Sequence, residues 1–415
     1  MSRLLNEGGV AGHYSHFTDE EDYSFQDASD LIKAMESGKV VQDATEKIDG
    51  INLFLTYKDG NTLAARNKKH IQDMGAEAMD ASAIDEKYTD SNMSHVKQAY
   101  KETLKDFDKA LDALPETSKK TFEDGKVWFN VEVVKPETAN SIEYGVMPFI
   151  TIHEAVRIDE DGKETKEPQK VKDFMKAIIR DGQNDQDTFQ IRSTDSLQLD
   201  VDSKKLQKQD FSKFQKALSQ FVRENGFQMN HTLLDFKETK IIEELERLEL
   251  EHDQKIPTEA KDDIVDRATQ YQASSYNLNR LKGDIEDADF RKVIKDFIQG
   301  SGGFIKELVA PLDRIILSAS SQLLSSITGF ISDHNPELVK KNINQKLEDI
   351  SQKVLDSKDD KLNDKLNYEL DRLNSVTSEL IPTEGIVFNF KGKDIKLTGS
   401  FAPLNQILGL KYRMD

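Results

Sequence analysis

Glu46-Lys47-Ile48-Asp49-Gly50-Ile51-Asn52 is the stretch whose reading decides the fold. Apolar Val40, Val41 and Ala44 lead into it, and Asn52-Leu53-Phe54-Leu55-Thr56-Tyr57 leaves it as a strand. Lys47 is thus held between an apolar stem and an Asp-Gly turn. A nucleophilic lysine needs such a place, because partial burial disfavours the ammonium and neighbouring cations lower its pKa further. Taken alone, Lys-x-Asp-Gly reads first as a β-turn with a solvated lysine, since Asp-Gly is turn chemistry before anything else.

Four other segments change that reading. Ala65-Arg66-Asn67 closes the hairpin after the lysine, with Asp59-Gly60-Asn61 as its turn. Val127-Trp128-Phe129-Asn130-Val131-Glu132-Val133-Val134 is an apolar strand carrying one carboxylate, which is costly there unless paired or metal-linked. Thr383-Glu384-Gly385-Ile386-Val387-Phe388 is another strand, and Ile395-Lys396-Leu397-Thr398-Gly399 follows it one short hairpin later. In this order the segments resemble motifs I, Ia, III, IV and V of the covalent nucleotidyltransferases: ATP-dependent DNA ligases, RNA ligases and mRNA capping enzymes. Glu46 before the lysine and Asn52 after the glycine resemble the RNA ligase 2 type most closely. The tail from Glu384 to Gln406 and the start Gly8–His16 look like ligase-related proteins of large tailed phages. The resemblance covers roughly residues 1–160 and 376–415.

The fold that the resemblance implies is α+β: a nucleotidyltransferase (ATP-grasp-like ligase) catalytic domain of antiparallel sheets and helices, with a large helical insertion. Residues 1–170 would be its first part, holding motifs I, Ia, III and IIIa, and 377–415 its last part, with motifs IV and V. Residues 171–376 read as mainly helical. Ile241, Leu245 and Leu248 mark one apolar stripe, Leu308, Leu312, Ile315 and Leu323 another, and Val354, Leu362, Leu366, Leu370 and Leu373 a third. Two strands are expected to interrupt the segment, near Thr188–Ser193 and Ser196–Val201. In the first part, a helix is expected over 25–38 and another over 92–113, with strands at Val127–Val134 and Phe149–Arg157.

The residue roles carried over from the resemblance are these. Lys47 takes the AMP as a covalent lysyl adduct, Lys396 contacts the α-phosphate, and Glu384 orients the hydration shell of the metal there. Glu132 accepts a ribose hydroxyl or holds water on Mg²⁺, so Glu132 and Glu384 are the metal candidates. Arg66 binds the ribose or the recipient 5′-phosphate. Glu46 contacts the adenine edge, Asp49 and Gly50, the turn residues after the lysine, count with it among the nucleotide-binding residues, and Asn52 places the nicked end. The cofactors would be ATP and Mg²⁺ or Mn²⁺. Two departures stand out. The last motif usually has two lysines; here the second position is Thr398, and Lys393 or Lys411 would have to supply that contact. Motif IIIa usually has an aromatic that stacks on adenine; here it is His153, which either stacks instead or is a structural strand histidine.

Composition bounds the rest. With no cysteine in the chain, disulfides and thiolate zinc sites are excluded, and a reducing cytoplasm, a host's if phage-encoded, is the expected compartment. No apolar run reaches the length of a membrane span. The net charge of −19 argues against a generic nucleic-acid binder. The tail is nevertheless locally basic, with Lys391, Lys393, Lys396, Lys411 and Arg413, and a local groove decides binding rather than the sum. His13 and His16, close to Asp19, Glu20 and Glu21, form a weaker metal candidate.

The function expected is an ATP-dependent polynucleotide ligase of RNA ligase type. It would join 5′-phosphate and 3′-hydroxyl ends of RNA, or of a nicked duplex, as in nucleic-acid repair. Too few residues follow Lys396 for a separate OB-fold domain, which lowers the capping and ordinary DNA-ligase readings. The alternatives kept open are a DNA ligase, an adenylyltransferase acting on another acceptor, and a catalytically inactive ligase-fold protein of a phage. In the last case the helical insertion would bind a protein partner.

Overall fold

The computed structural model describes residues 15–42, 44–47, 50–72, 78–89, 94–135, 148–180, 190–193, 199, 209–269, 281–327, 336–376, 381 and 383–410. The chain is α+β and divides into two compact units. One takes in Ser15–Lys39 and Gln207–Leu323; the other takes in Val40–Leu206 and Leu324–Asp415. Among the described residues no helix is long and apolar enough to cross a membrane.

The second unit holds both sheets. Its strands in chain order are β1 (Thr45–Glu46), β2 (Ile51–Lys58), β3 (Asn61–Ala65), β4 (Val127–Val134), β5 (Phe149–Ile158), β6 (Glu164–Lys166), β7 (Gln190–Ser193), β8 (Ile386–Phe390) and β9 (Lys393–Leu397). The larger sheet runs β3-β2-β4-β5-β6, all antiparallel, and β7 pairs with β5 in parallel. The smaller runs β1-β8-β9, also antiparallel. Alternation along β2 and β4 dictates the layering. Leu53, Leu55, Phe129, Val131, Val133, Ile150 and Ile152 face one way and pack with Tyr100, Leu104, Phe107 and Leu111 of the helix Ser94–Ala113 and with Phe174 of the helix Pro168–Arg180. Phe54, Trp128, Val156 and Ile158 face the other way and form a smaller apolar cluster with Ala65 and Ile71. The turn between β2 and β3 is Asp59-Gly60, both at positive φ (51° and 83°), the left-handed pair that a two-residue hairpin requires.

The other unit is helical among its described residues. Phe25 opens the helix Phe25–Glu36 behind the capping serine Ser24, and its ring meets Phe221, Phe227 and Phe236 edge-on. Ser24 bridges to Thr232, which caps the helix Leu233–His252.

These boundaries differ from the sequence divisions at 170 and 376. Residues 15–39 group with the helical unit because the apolar face around Phe25 is covered there. Residues 336–376 group with the sheets: Ile343, Ile350, Val354, Leu366 and Leu373 pack with Val134, Phe149, Phe401, Leu404 and Ile407. The stripe from Val354 to Leu373 also belongs to two helices, Pro336–Ser357 and Asp360–Val376. The break is at Lys358, whose φ of 54° ends the first helix. The strand expected at Thr188–Ser193 is β7; the one at Ser196–Val201 lies, apart from Leu199, outside the described residues.

Candidate active site

The short strand β1 delivers Lys47. Thr45 lies opposite Val387 and Glu46 opposite Ile386, and the Lys47 N–H donates to the Gly385 carbonyl at 2.8 Å, extending the ladder by one residue. Val387 in turn lies opposite Lys396. Directly opposed residues share a sheet face, and i, i+2 residues alternate back to it. Thr45, Lys47, Val387 and Lys396 therefore occupy one face, and Glu46, Ile386, Lys393 and Leu397 the other. Sequence positions far apart, 47 and 396, are brought to one side of a three-stranded sheet.

Glu384 joins them from the loop before β8. Its carboxylate Oε1 forms an ion pair with Lys47 Nζ, and both side chains are largely buried. Gly385 makes that geometry possible. Its φ of 134° is strained for any residue with a side chain, and a Cβ there would lie 2.1 Å from the Leu397 carbonyl oxygen.

Glu132 on β4 holds Gly50, three residues after the lysine. Its Oε1 accepts the Gly50 N–H at 2.9 Å, and its Oε2 meets His153 Nε2 at 2.9 Å. Gly50 is required by the close approach, since a Cβ would stand 2.7 Å from Glu132 Cγ and 2.8 Å from the Val133 oxygen. Burial pushes the Glu132 carboxyl up. The hydrogen bond from His153, the charge of Lys47 and the Gly50 N–H outweigh it and hold the carboxyl below the ordinary glutamate value.

His153 reaches Glu132 because it lies two residues beyond Thr151, which is directly opposite Glu132, and β5 carries its extra residue there. The register steps from Val131–Ile152 to Asn130–Glu154, leaving His153 as the bulge. A bulge re-aims side chains, and this one brings Glu154 and Val156 back to the Glu132 side of the sheet beside His153. That side carries a polar row in an otherwise apolar surface: Asn52, Asn130, Glu132, Thr151 and His153. Asn52 Nδ2 donates to Asn130 Oδ1 at 2.9 Å. Among the described residues, four buried polar atoms on this face have no hydrogen-bond partner: Asn52 Oδ1, Trp128 Nε1, Thr151 Oγ1 and His153 Nδ1. Buried polar atoms are costly unless something satisfies them. Thr398 Oγ1, in the strand extension beyond Lys396, is buried and in the same condition.

The sequence-derived residues are therefore distributed as follows. Lys47 and Glu384 are in contact; Gly50, Glu132 and His153 form one hydrogen-bonded chain; Lys396 shares the face of Lys47. Asn52 lies opposite Glu132 in the register. Glu46 is buried on the face away from Lys47. Lys393 lies at the far end of β9, opposite Phe390 and on the face away from Lys396, so it does not replace a second lysine at Thr398. Arg66 is exposed just beyond β3, and its charge is felt at Tyr100 rather than at Glu132. Both Glu132 oxygens are taken by the chain's own donors, which makes this carboxylate an anchor. Glu384 is the carboxylate in contact with Lys47. Among the described residues, no three His, Asp or Glu side chains gather as a metal site. His16 instead caps the turn Phe17–Asp19 through Asp19, while Asp49, His13, Lys411 and Arg413 lie outside the described residues. Asn130, Thr151 and Gly385 were not singled out from sequence. For Asn130 the signal was present: Trp128, Asn130 and Glu132 alternate along β4, so one face of an apolar strand turns polar. No protein-family model, curated protein or solved structure matches the chain.

Proposed function

We propose that the chain is a covalent adenylyltransferase of RNA ligase type. The observation that carries this is the Lys47–Glu384 pair, 337 residues apart in sequence, beside a polar sheet face on which four buried polar atoms lack hydrogen-bond partners among the described residues. In the first step, Lys47 Nζ, having given up a proton, attacks the α-phosphorus of ATP. The N–P bond forms, the bond to the β-phosphate oxygen breaks, and pyrophosphate leaves. Glu384, in contact with Nζ, is the base nearest that proton. Lys396, on the same face, supplies positive charge for the phosphoryl oxygens, and stabilising charge that develops in the transition state is where such a group acts. Glu132 holds Gly50, three residues after the lysine. Magnesium bound to the triphosphate would neutralise the leaving group, with Glu384 the carboxylate closest to it. AMP then passes to a 5′-phosphate end and is displaced by a 3′-hydroxyl. The test is nick-sealing of RNA-containing and all-DNA duplexes with ATP. Sealing of the RNA-containing ends is the expected result, and label that moves from the enzyme to neither end would exclude the ligase step.

A further inference from the structure

The polar sheet face contains one acceptor whose role is set by its neighbours. Glu132 accepts the Gly50 N–H at Oε1 and meets His153 Nε2 at Oε2, and a carboxylate so placed accepts at both oxygens. His153 must therefore donate from Nε2, and in the neutral ring this leaves Nδ1 with a lone pair. Nδ1 is buried and has no hydrogen-bond partner among the described residues. It requires a donor. Thr151, two residues earlier on the same face, presents a buried hydroxyl in the same condition.

The place identifies the donor. His153 is one hydrogen bond from Glu132, which is one hydrogen bond from Gly50 and within the field of the Lys47 charge. If Lys47 receives the α-phosphate, the part of a nucleotide that lies within one side chain of that phosphorus is the sugar; the base is further away. We propose that His153 Nδ1 accepts a hydrogen bond from a ribose hydroxyl of the bound nucleotide, so that this histidine, and not Glu132, selects a ribonucleotide over its deoxy form. This rests on the nucleotidyl-transfer reading and deepens it. His153 then has two duties at two atoms: Nε2–H holds Glu132, and Nδ1 reads the sugar.

The two duties separate by substitution. In His153→Gln the amide nitrogen takes the place of Nε2 and keeps the bond to Glu132, but nothing replaces Nδ1. In His153→Asn an acceptor remains near the Nδ1 position and the reach to Glu132 is lost. Trp128, the single tryptophan of the chain, lies on the same sheet face and serves as the binding probe. Titrations of its fluorescence with ATP, 2′-deoxy-ATP, 3′-deoxy-ATP and inosine triphosphate give four affinities for each protein. The wild-type chain should bind one of the deoxy analogues about tenfold more weakly than ATP, the scale of one lost hydrogen bond to a buried acceptor. Inosine triphosphate should bind like ATP. His153→Gln should bind ATP and both deoxy analogues equally, and His153→Asn should keep a preference for ATP. Equal binding of ATP and both deoxy analogues by the wild type would overturn the proposal, as would a penalty confined to inosine triphosphate, which assigns the acceptor to the base amine. If His153→Gln fails to fold, the wild-type series and His153→Asn decide. Labelling of Lys47 by ATP, followed in parallel, separates the two readings. An adduct without sugar discrimination removes this inference alone, discrimination without an adduct removes the covalent chemistry alone, and neither binding nor adduct removes both.

Discussion

At the scale of the residue, two glycines illustrate how differently the same residue type can matter. Gly60 is at φ 83° with open space around it, so Gly60→Ala is opposed only by backbone conformation, about 1–2 kcal/mol. Gly385, at φ 134°, would drive a Cβ into the Leu397 carbonyl, and Gly385→Ala should cost more than about 3 kcal/mol and displace Glu384 from Lys47. Chemical denaturation of the two variants checks the contrast; equal midpoints would show that the loop before β8 is free to relax. The charged residues give a second test. Glu384→Ala and Lys396→Ala should each slow AMP transfer by about 10²-fold or more, the scale of losing one preorganised group. Wild-type rates in both would detach the tail from the chemistry. Glu132 supplies a pH signature. Its folded-state pKa lies below the ordinary value, so the stability it contributes is fully present above the ordinary glutamate pKa and is lost as pH falls through the lower, folded one. Acid unfolding curves of Glu132→Gln should lack this part of the acid-side loss, whereas an unchanged curve would mean that the His153 and Gly50 contacts do not hold the carboxylate.

At the scale of the element, strands were legible from alternation and helices from their apolar stripes. β2, β4 and the helix Ser94–Ala113 lie close to where their patterns place them. The bulge in β5 was not legible. Phe149-Ile-Thr-Ile-His-Glu-Ala alternates without any glycine or proline to mark an extra residue, so the change of face after His153, which sets Glu154 and Val156 beside it, depends on pairing with β4, a tertiary matter. The same holds for β1. Two residues with no strand signal of their own become a strand because β8 offers an unpaired edge, and that pairing is what sets Lys47 on the face of Lys396. The motif residues were thus readable as a set, but their mutual geometry was not. Lys393 shows the cost: three residues from Lys396 in sequence, it alternates to the opposite face.

At the scale of the molecule, a division by helical content and a division by packing draw the boundary in different places. Residues 336–376 are helical yet cover Phe401, Leu404 and Ile407 just after Lys396, so their apolar stripe belongs to the sheet-bearing unit. A chain reduced to residues 40–206 joined by a short linker to 324–415 keeps that core whole. It should fold cooperatively and retain AMP transfer, whereas a chain that also lacks 336–376 should lose both. Thermal melts and adduct formation on the two chains, side by side, check this. Adduct formation without 336–376 would show that the sheets close without the helical pair. If the unit of Gln207–Leu323 helps to hold polynucleotide, the shortened chain should seal nicks poorly and lose that activity more steeply with salt.

The central claim is that Lys47 forms a covalent bond to AMP. Incubating the chain with α-labelled ATP and Mg²⁺, denaturing it, and mapping the label by peptide mass spectrometry tests this most directly. The expected result is an acid-stable, hydroxylamine-labile adduct on Lys47 that is absent from Lys47→Ala. Undiminished labelling of Lys47→Ala, or no labelling of the wild-type chain, would contradict it.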